Sequence, residues 1–592
     1  MSTPDRLFKL RNHMATLGVD ACIITSADPH LSEYPSSHWK FREWLSGFTG
    51  SAGTVVVTNE EAGLWTDSRY FLQAEQQLED SGMDLYRMGT EGVPDYKDWL
   101  TEKLNAGSVV GVNGKTMTVN ELRALARLLK KADIRLDAKL FMEDDIWEAR
   151  PLIPEDGIFE LGTEYTGLSR TEKIAEVRRR MKAQGGTHYI ITTLDEVAWL
   201  LNFRGQDVQF NPVFHAYLVV SHNHVNLFID PHKLTSSIGK QLSEEDIKIF
   251  IYNDFYNFIK DMPPLAKVIV DPNRTNSTVY SSLPQQSTKI ETTSIVTNLK
   301  AQKNEVEVEN FRKAMVKDGV AMTKFLCWLD NTIGKETITE YSAAARLSAF
   351  RAEQPNYHGD SFNTISGYAG NGAIVHYAVQ EESAAELQPK GLFLIDSGGQ
   401  YLEGTTDITR TVALGPLTDE EKTDFTLVLK GNIGLDMAVF PTGTRGVHLD
   451  ILARQAMWQH GINYGHGTGH GIGHFLCVHE GPQSIRPQDN GVEIQEGMIS
   501  SNEPGIYKSG KHGIRIENLI LTLKDKNTDF GSFLKFETLT LCPVDTRAIK
   551  TELLTVQEKT WVNNYHQKVY DLISPLLDGE EKEWLKNSTK PL

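Results

Sequence analysis

The sequence predicts an α+β protein of three domains: two tandem α/β domains of one type, then a larger α+β domain that carries the chemistry. Three observations lead there. The N-terminal half contains an internal echo, a long helical pattern opens after it, and beyond that acidic residues recur at the ends of β-branched runs. The expected domain limits are residues 1–160, 161–302 and 303–592.

The echo pairs "LRNHMATLGVDACIITSADPHLSEY … WLSGFTG" with "EVRRRMKAQGGTHYIITTLDEVAWLLNFRG". Each reads as an amphipathic helix stopped by glycine (Gly18, Gly185), a strand ("ACIIT", "HYIIT"), an Asp-containing turn and then "WL..F.G". The strands "AGTVVVT" and "HAYLVVS" follow in turn, and the shared order favours duplication over chance. In "KNEVEVENFRKAMVKDGVAMTKFLCWLD", Val306, Phe311, Met315 and Val320 fall near helical spacing and open the third domain. The stretch "TVQEKTWVNNYHQKVYDLISPLL" predicts an amphipathic helix near the C-terminus. "GVNGKT" at 111–116 imitates the end of a P-loop, but Val109 stands where the first glycine is required, so nucleotide binding is not expected there.

With 592 residues and a net charge of −18, the chain lacks the basic face that nucleic acid or an anionic membrane would need. Its four cysteines, Cys22, Cys327, Cys477 and Cys542, are scattered and form no CxxC pair, which fits a reducing compartment. No apolar h-region follows the N-terminus and no apolar run approaches the ~20 residues of a membrane helix, so a cytoplasmic location is expected.

The third domain concentrates the chemistry. In "GLFLIDSGGQYLEGTTDITRTVALG" an apolar strand ends at Asp396, Gly398-Gly399 predicts a turn, and a second run starts at Asp407. Thr405, Asp407 and Thr409 are expected on one strand face. In "ISSNEPGIY", Glu503 precedes proline and is held extended. "HGIRIENLILTL" reads as one strand, with Arg515 and Glu517 on one side and Ile514 and Ile516 on the other. In "HGTGHGIGHFLCVHEGP", His466, His470 and His474 alternate with Gly467, Gly469, Gly471 and Gly473. So many glycines rule out a helix and let other atoms come close to the backbone; no HExxH is present. Each feature alone has an ordinary reading: a turn aspartate, a turn glutamate, a cross-strand ion pair. Together, Asp396, Asp407, Glu503, Glu517 and one histidine would bring four negative charges to one point, which two divalent metals offset. An oxygen-rich set with one imidazole suits Mn²⁺, with Co²⁺, Zn²⁺ or Fe²⁺ also compatible.

The order "IDSGGQYLEGTTDITRT", "HGTGHGIG", "VHEGP", "NEPGIY", "GIRIEN" resembles the pita-bread metallopeptidases, a group that includes aminopeptidase P, prolidase, methionine aminopeptidase and the metal-free creatinase. "GFTGSAGT", "WTDSRYFLQAEQQL" and "NGAIVHYA", with the two N-terminal domains, narrow the resemblance to the three-domain, cytosolic-type Xaa-Pro aminopeptidases. It covers essentially the whole chain. It implies a C-terminal pita-bread catalytic domain preceded by two creatinase/prolidase N-terminal-like domains. The implied activity is release of the first residue from peptides with proline second, by a hydroxide bridging two metals. A homodimer is implied too.

By the same resemblance, Asp396 is a terminal carboxylate on one metal, Asp407 and Glu517 bridge, and His470 and Glu503 hold the second metal, with Arg515 supporting the set. Glu503 doubles as acid/base. His376 and His479 are catalytic, on the substrate side together with His466, and Arg69 faces the peptide. His474 has no counterpart and is read as local packing or surface. Chain length favours the aminopeptidase over a dipeptide-only prolidase. A metal-free binding protein or creatinase-like enzyme of this fold would lack ligands, and here all five are present.

Overall fold

The computed structural model describes residues 1–592. They form two units, one of Met1–Leu161 with Leu168–Asn298, the other of Gly162–Gly167 with Leu299–Leu592.

The first unit contains the duplication. Its first six-stranded sheet runs in the order Asp84–Arg87, Ala62–Thr66, Thr54–Thr58, Ala21–Ile24, Val109–Val112, Arg135–Asp137. The second runs Ile247–Ile251, Val225–Ile229, Ala216–Ser221, His188–Ile191, Lys267–Val270, Thr288–Glu291. In both, the echo strand ("ACII" or "HYII") sits inside the sheet, antiparallel to one neighbour and parallel to the other. The helices feeding them, Thr3–Leu17 and Arg170–Ala183, carry capping boxes at Ser2 and Ser169, and Gly18 and Gly185 take the left-handed conformation after them. Phe48 and Phe203 of the "WL..F.G" motifs are fully buried. The P-loop mimic is a short turn: the Asn113 side chain accepts from Lys115 N at 2.9 Å, and the Lys115 ammonium lies 4.7 Å from the Tyr256 ring centre.

In the second unit, helix Glu305–Thr332 starts at Asn304, whose side chain caps it while Glu307 closes the capping box. Asn304 Nδ2 also donates to Thr166 O, and Asn310 Nδ2 to Glu164 O, so segment Gly162–Gly167 packs here. The sheets are antiparallel. One joins Ile365–Tyr368, Leu392–Ser397 and Ile408–Ala413; the larger has the order Val439–Pro441, Gly531–Thr538, Asn518–Thr528, Ile499–Asn502, Gly469–Gly471, Glu480–Ile485. Helices Asp419–Asp436, Gly446–Trp458 and Val556–Ile573 bury apolar faces against the unit's core. Mixed α+β architecture is therefore observed, as the sequence predicts. No helix is long and apolar enough to cross a membrane, and all four cysteines are free.

Three local expectations are corrected. Gly398-Gly399 is no hairpin turn: the chain leaves Leu392–Ser397 and enters another sheet at Gly399–Tyr401, and the hairpin closes later against Gly404–Thr405. The glycine is needed for close approach, since a Cβ at Gly398 would overlap the Thr406 carbonyl and the Ser361 hydroxyl. Thr405, Asp407 and Thr409 do not share one strand face. Thr405 pairs in the small sheet and donates to Leu476 O, whereas Thr409 belongs to Ile408–Ala413 and donates to Glu517. "HGIRIENLILTL" is two strands, His512–Arg515 and Asn518–Thr528, because Glu517 N turns to the Thr409 carbonyl and the chain changes sheets there.

Gly398→Ala should lower the stability of this unit by about 1–3 kcal/mol through overpacking. The urea midpoint measures it; a wild-type midpoint would mean that the crossing opens freely.

Candidate metal centre

The ligand candidates sit where strands of two sheets end against each other. Asp396 is on Leu392–Ser397, paired with Thr409, and Asp407 immediately precedes the neighbouring strand Ile408–Ala413. Glu503 follows Ile499–Asn502 and Glu517 precedes Asn518–Thr528, and Asn502 and Asn518 are paired. Neighbours in an antiparallel pair lie only about 4.5–5.5 Å apart. Two such ends facing each other therefore bring all four carboxylates together.

His470 enters from Gly469–Gly471. Asp407, His470 and Glu517 each offer one ligand atom, all within 4.8 Å of one another. His470 Nε2 is 3.5 Å from Asp407 Oδ2 and 3.5 Å from Glu503 Oε1. Its Nδ1 lies 3.0 Å from the Gly471 carbonyl, which can only accept, so the ring proton is on Nδ1 and Nε2 carries the lone pair a metal needs. Asp396, Asp407 and Glu517 are buried, while Glu503 and His470 keep partial exposure and mark the open side.

Arg515 organises the acids. Buried at 2% exposure, it donates from Nη2 to Asp396 Oδ2 at 2.5 Å, from Nη1 to the Tyr507 hydroxyl at 2.7 Å and from Nε to Thr409 Oγ1 at 3.2 Å. The Thr409 hydroxyl in turn donates to Glu517 Oε2 at 2.7 Å. Tyr507 lies 2.8 Å from His466 Nε2, and His466 Nδ1 lies 2.8 Å from Gly467 O. With Arg515 donating to the phenol oxygen, Tyr507 bridges the guanidinium and the His466 ring. Arg515 thus steadies two carboxylates and one histidine at once. Behind them, the buried Arg410 holds the Glu517 carbonyl at 2.6 Å, and Asn432 Nδ2 holds the carbonyls of Asn502 and Ile516.

One guanidinium does not balance this charge. Burial, then repulsion from Asp396 and Glu503, pushes Asp407 well above the usual carboxylate range. Burial, then Asp407, Asp396 and Glu503, does the same to Glu517. Burial pushes Glu503 up to about 7, with Asp396 adding to the rise and Arg515 opposing it. Asp396 Oδ1 is buried without a hydrogen-bond partner. Clustered carboxylates with too little positive charge beside them, an orphaned buried oxygen and an imidazole whose Nε2 faces the acids are what a divalent cation site requires, so the residues fit metal.

The other predicted residues fall as follows. The His479 and His470 rings meet edge to face at 4.4 Å. His466 Nδ1 lies 3.9 Å from Glu503 Oε2. His376 follows Val375, whose carbonyl faces Arg515 Nη2 at 3.4 Å. His474 is not at the surface: it is 2% exposed, its ring 5.4 Å from that of Phe311. Arg69 belongs to the first unit, where it forms a two-point ion pair with Asp67 at 2.8 Å. The glycines of the histidine stretch admit neighbouring strands: a Cβ at Gly469 would overlap Ser501 O, and one at Gly471 would overlap Glu480 O. Sequence reasoning missed Tyr507 and Asn432. Tyr507 was within reach, inside "NEPGIY"; Asn432 lies mid-helix with no local signal.

A mixed domain of paired strands that brings four carboxylates together with His470, His466 and His479 fits the metallopeptidase class. Residues 6–140 and 149–307 match the creatinase/prolidase N-terminal domain, 309–524 match metallopeptidase family M24, and 532–592 match the C-terminal region of peptidase M24. A probable Xaa-Pro aminopeptidase P of Coprinopsis cinerea is 40% identical, covering 100% of this chain and 99% of its own. Aminopeptidase P2 of Arabidopsis thaliana is 39% identical over 97% of this chain and 86% of its own. The crystal structure of an X-prolyl aminopeptidase from Caenorhabditis elegans, described as a cytosolic enzyme with a di-nuclear active site, superposes with a TM-score of 0.96 at 34% identity over 100% of both chains. The chain belongs to the Xaa-Pro aminopeptidase P branch of metallopeptidase family M24, with creatinase-type N-terminal domains before the pita-bread domain.

The raised carboxylates set a pH dependence. A carboxyl whose folded value exceeds its unfolded one adds stability below the unfolded value, and this is lost as pH rises through the folded value. For Glu503 that window runs from 4.5 to about 7. The melting temperature of chelator-treated protein should therefore fall relative to metal-loaded protein across that window. A gap that stays constant with pH overturns this account of the site.

Proposed function

We propose that this protein removes the N-terminal residue from peptides with proline in second position, using two divalent cations held by Asp396, Asp407, His470, Glu503 and Glu517. The observation that carries the proposal is the convergence of Asp407, His470 and Glu517 ligand atoms within 4.8 Å, with Asp396 and Glu503 beside them. Mn²⁺ is the proposed metal, since oxygen donors outnumber the single imidazole. When bound, such cations lower the pKa of a water and polarise the scissile carbonyl.

The chain's own residues do the rest. Glu503, on the open side, takes the proton of the attacking water and delivers it to the departing nitrogen. That delivery matters because proline leaves as a secondary amine. An Xaa-Pro amide carries no N–H, so the site recognises the carbonyl: His376 and His479 orient it and stabilise the developing oxyanion. His466, next to the Tyr507 hydroxyl and 3.9 Å from Glu503, faces the substrate beside that carboxylate. The free N-terminal amine of the peptide lies against the acidic ligands, which limits cleavage to one residue. Arg515 acts through Asp396, Thr409 and Tyr507 without touching substrate. We further propose a cytosolic homodimer and domain limits at 1–160, 161–302 and 303–592.

Asp407→Ala or Glu517→Ala should lose both bound metal, by elemental analysis, and hydrolysis of Xaa-Pro-Xaa tripeptides. Normal turnover by either variant overturns the proposal. Wild-type cleavage confined to Xaa-Pro dipeptides would make the enzyme a prolidase instead.

A further inference from the structure

The loop between strands Ile365–Tyr368 and Leu392–Ser397 carries His376 and is gripped from two sides. On one side, Arg515 Nη2 donates to Val375 O at 3.4 Å, and Gly372 packs on Gly513 so closely that a Cβ at Gly513 would overlap the Gly372 carbonyl. On the other side stands Glu340, the first residue of helix Glu340–Ala352 and 0% exposed.

Every polar atom of Glu340 is turned to this loop and the strand before it. Oε1 accepts from Tyr368 N at 2.7 Å and Asn371 Nδ2 at 3.0 Å. Oε2 accepts from Ala385 N at 2.8 Å, the Tyr377 hydroxyl at 3.0 Å and Asn371 Nδ2 at 3.1 Å. Its N–H donates to Ala385 O at 2.9 Å, and its carbonyl accepts from Ser366 Oγ at 2.7 Å. None of these donors is a lysine or arginine. A carboxylate buried without a cation is expensive. Here the positive end of its helix and the converging neutral donors offset that cost. The donors lie on both sides of His376 in sequence and include its neighbour Tyr377, so the carboxylate specifies the conformation of the loop that presents His376.

We propose that Glu340 is a positioning residue for the peptidase reaction, fixing the 368–385 loop so that His376 meets the scissile carbonyl. This rests on the assignment of His376 to the substrate side.

The test uses metal-loaded full-length enzyme, an Xaa-Pro-Xaa tripeptide, and the variants Glu340→Gln, Tyr377→Phe, His376→Ala and the Glu340→Gln/His376→Ala double. Glu340→Gln keeps the shape but turns one acceptor into a donor facing donors. It should lower kcat by about tenfold to a hundredfold, as expected of a small misplacement, with KM and bound metal at wild-type levels. Tyr377→Phe should lower kcat less. The double variant should match His376→Ala to within about twofold, because both changes act through one group. Wild-type kcat in Glu340→Gln overturns the proposal, as do multiplicative losses in the double variant or loss of bound metal alongside kcat. Should Glu340→Gln fail to fold, wild-type kcat in Tyr377→Phe overturns it equally. Normal turnover by His376→Ala removes the assignment of His376, and the proposal with it.

Discussion

Mutual repulsion among Asp396, Asp407, Glu503 and Glu517 is the constraint around which the catalytic unit is built. Two unit charges 4 Å apart cost about 4 kcal/mol even at a moderate effective dielectric. Only a rigid frame holds several such pairs in register. That frame is two antiparallel strand pairs meeting end to end, with Glu517 N bonded to the Thr409 carbonyl where they touch. Arg515 relieves part of the repulsion from behind, and the remainder is what bound cations would offset.

The rest of the unit serves the frame. Gly398, Gly469 and Gly471 lie where a Cβ would push a neighbouring strand away. Asn432 ties together the backbone ahead of Glu503 and the backbone ahead of Glu517, so one helix side chain sets the spacing of these two carboxylates. Arg454, buried and stacked on Tyr464, donates to the carbonyls of Tyr464 and His466 and steadies the approach to the histidine stretch. Glu340 does for the His376 loop what Arg515 does for the acids. Two buried side chains of opposite type, each satisfied by several partners, thus organise the acidic cluster and the His376 loop.

Much of this was legible in one dimension. The duplication was visible because helix stop, β-branched strand and "WL..F.G" recur in order, and the two sheets repeat strand order and direction. The five proposed ligands each had an ordinary reading alone, and it was their order along the chain, matching a family pattern, that singled them out. Errors arose where pairing partners are remote. Thr405 and Thr409 are four residues apart yet serve different sheets, and the strand "HGIRIENLILTL" breaks at Glu517 because its partner, Thr409, lies more than a hundred residues away. The histidine glycines signalled close approach correctly, but strands are what approach.

Periodicity and helix stops are local, so the sequence was enough to specify two related α/β domains, a long helix opening the third domain and an acidic, histidine-bearing domain after them. Which oxygen faces which proton is set by long-range packing. The tautomer of His470, the reach of Arg515 to Asp396 and Thr409, the burial of His474 and the grip of Glu340 on the His376 loop each depend on segments brought together from distant parts of the chain. Local pattern encodes the elements. Their mutual orientation, and with it the electrostatics of the site, exists only once the sheets are assembled.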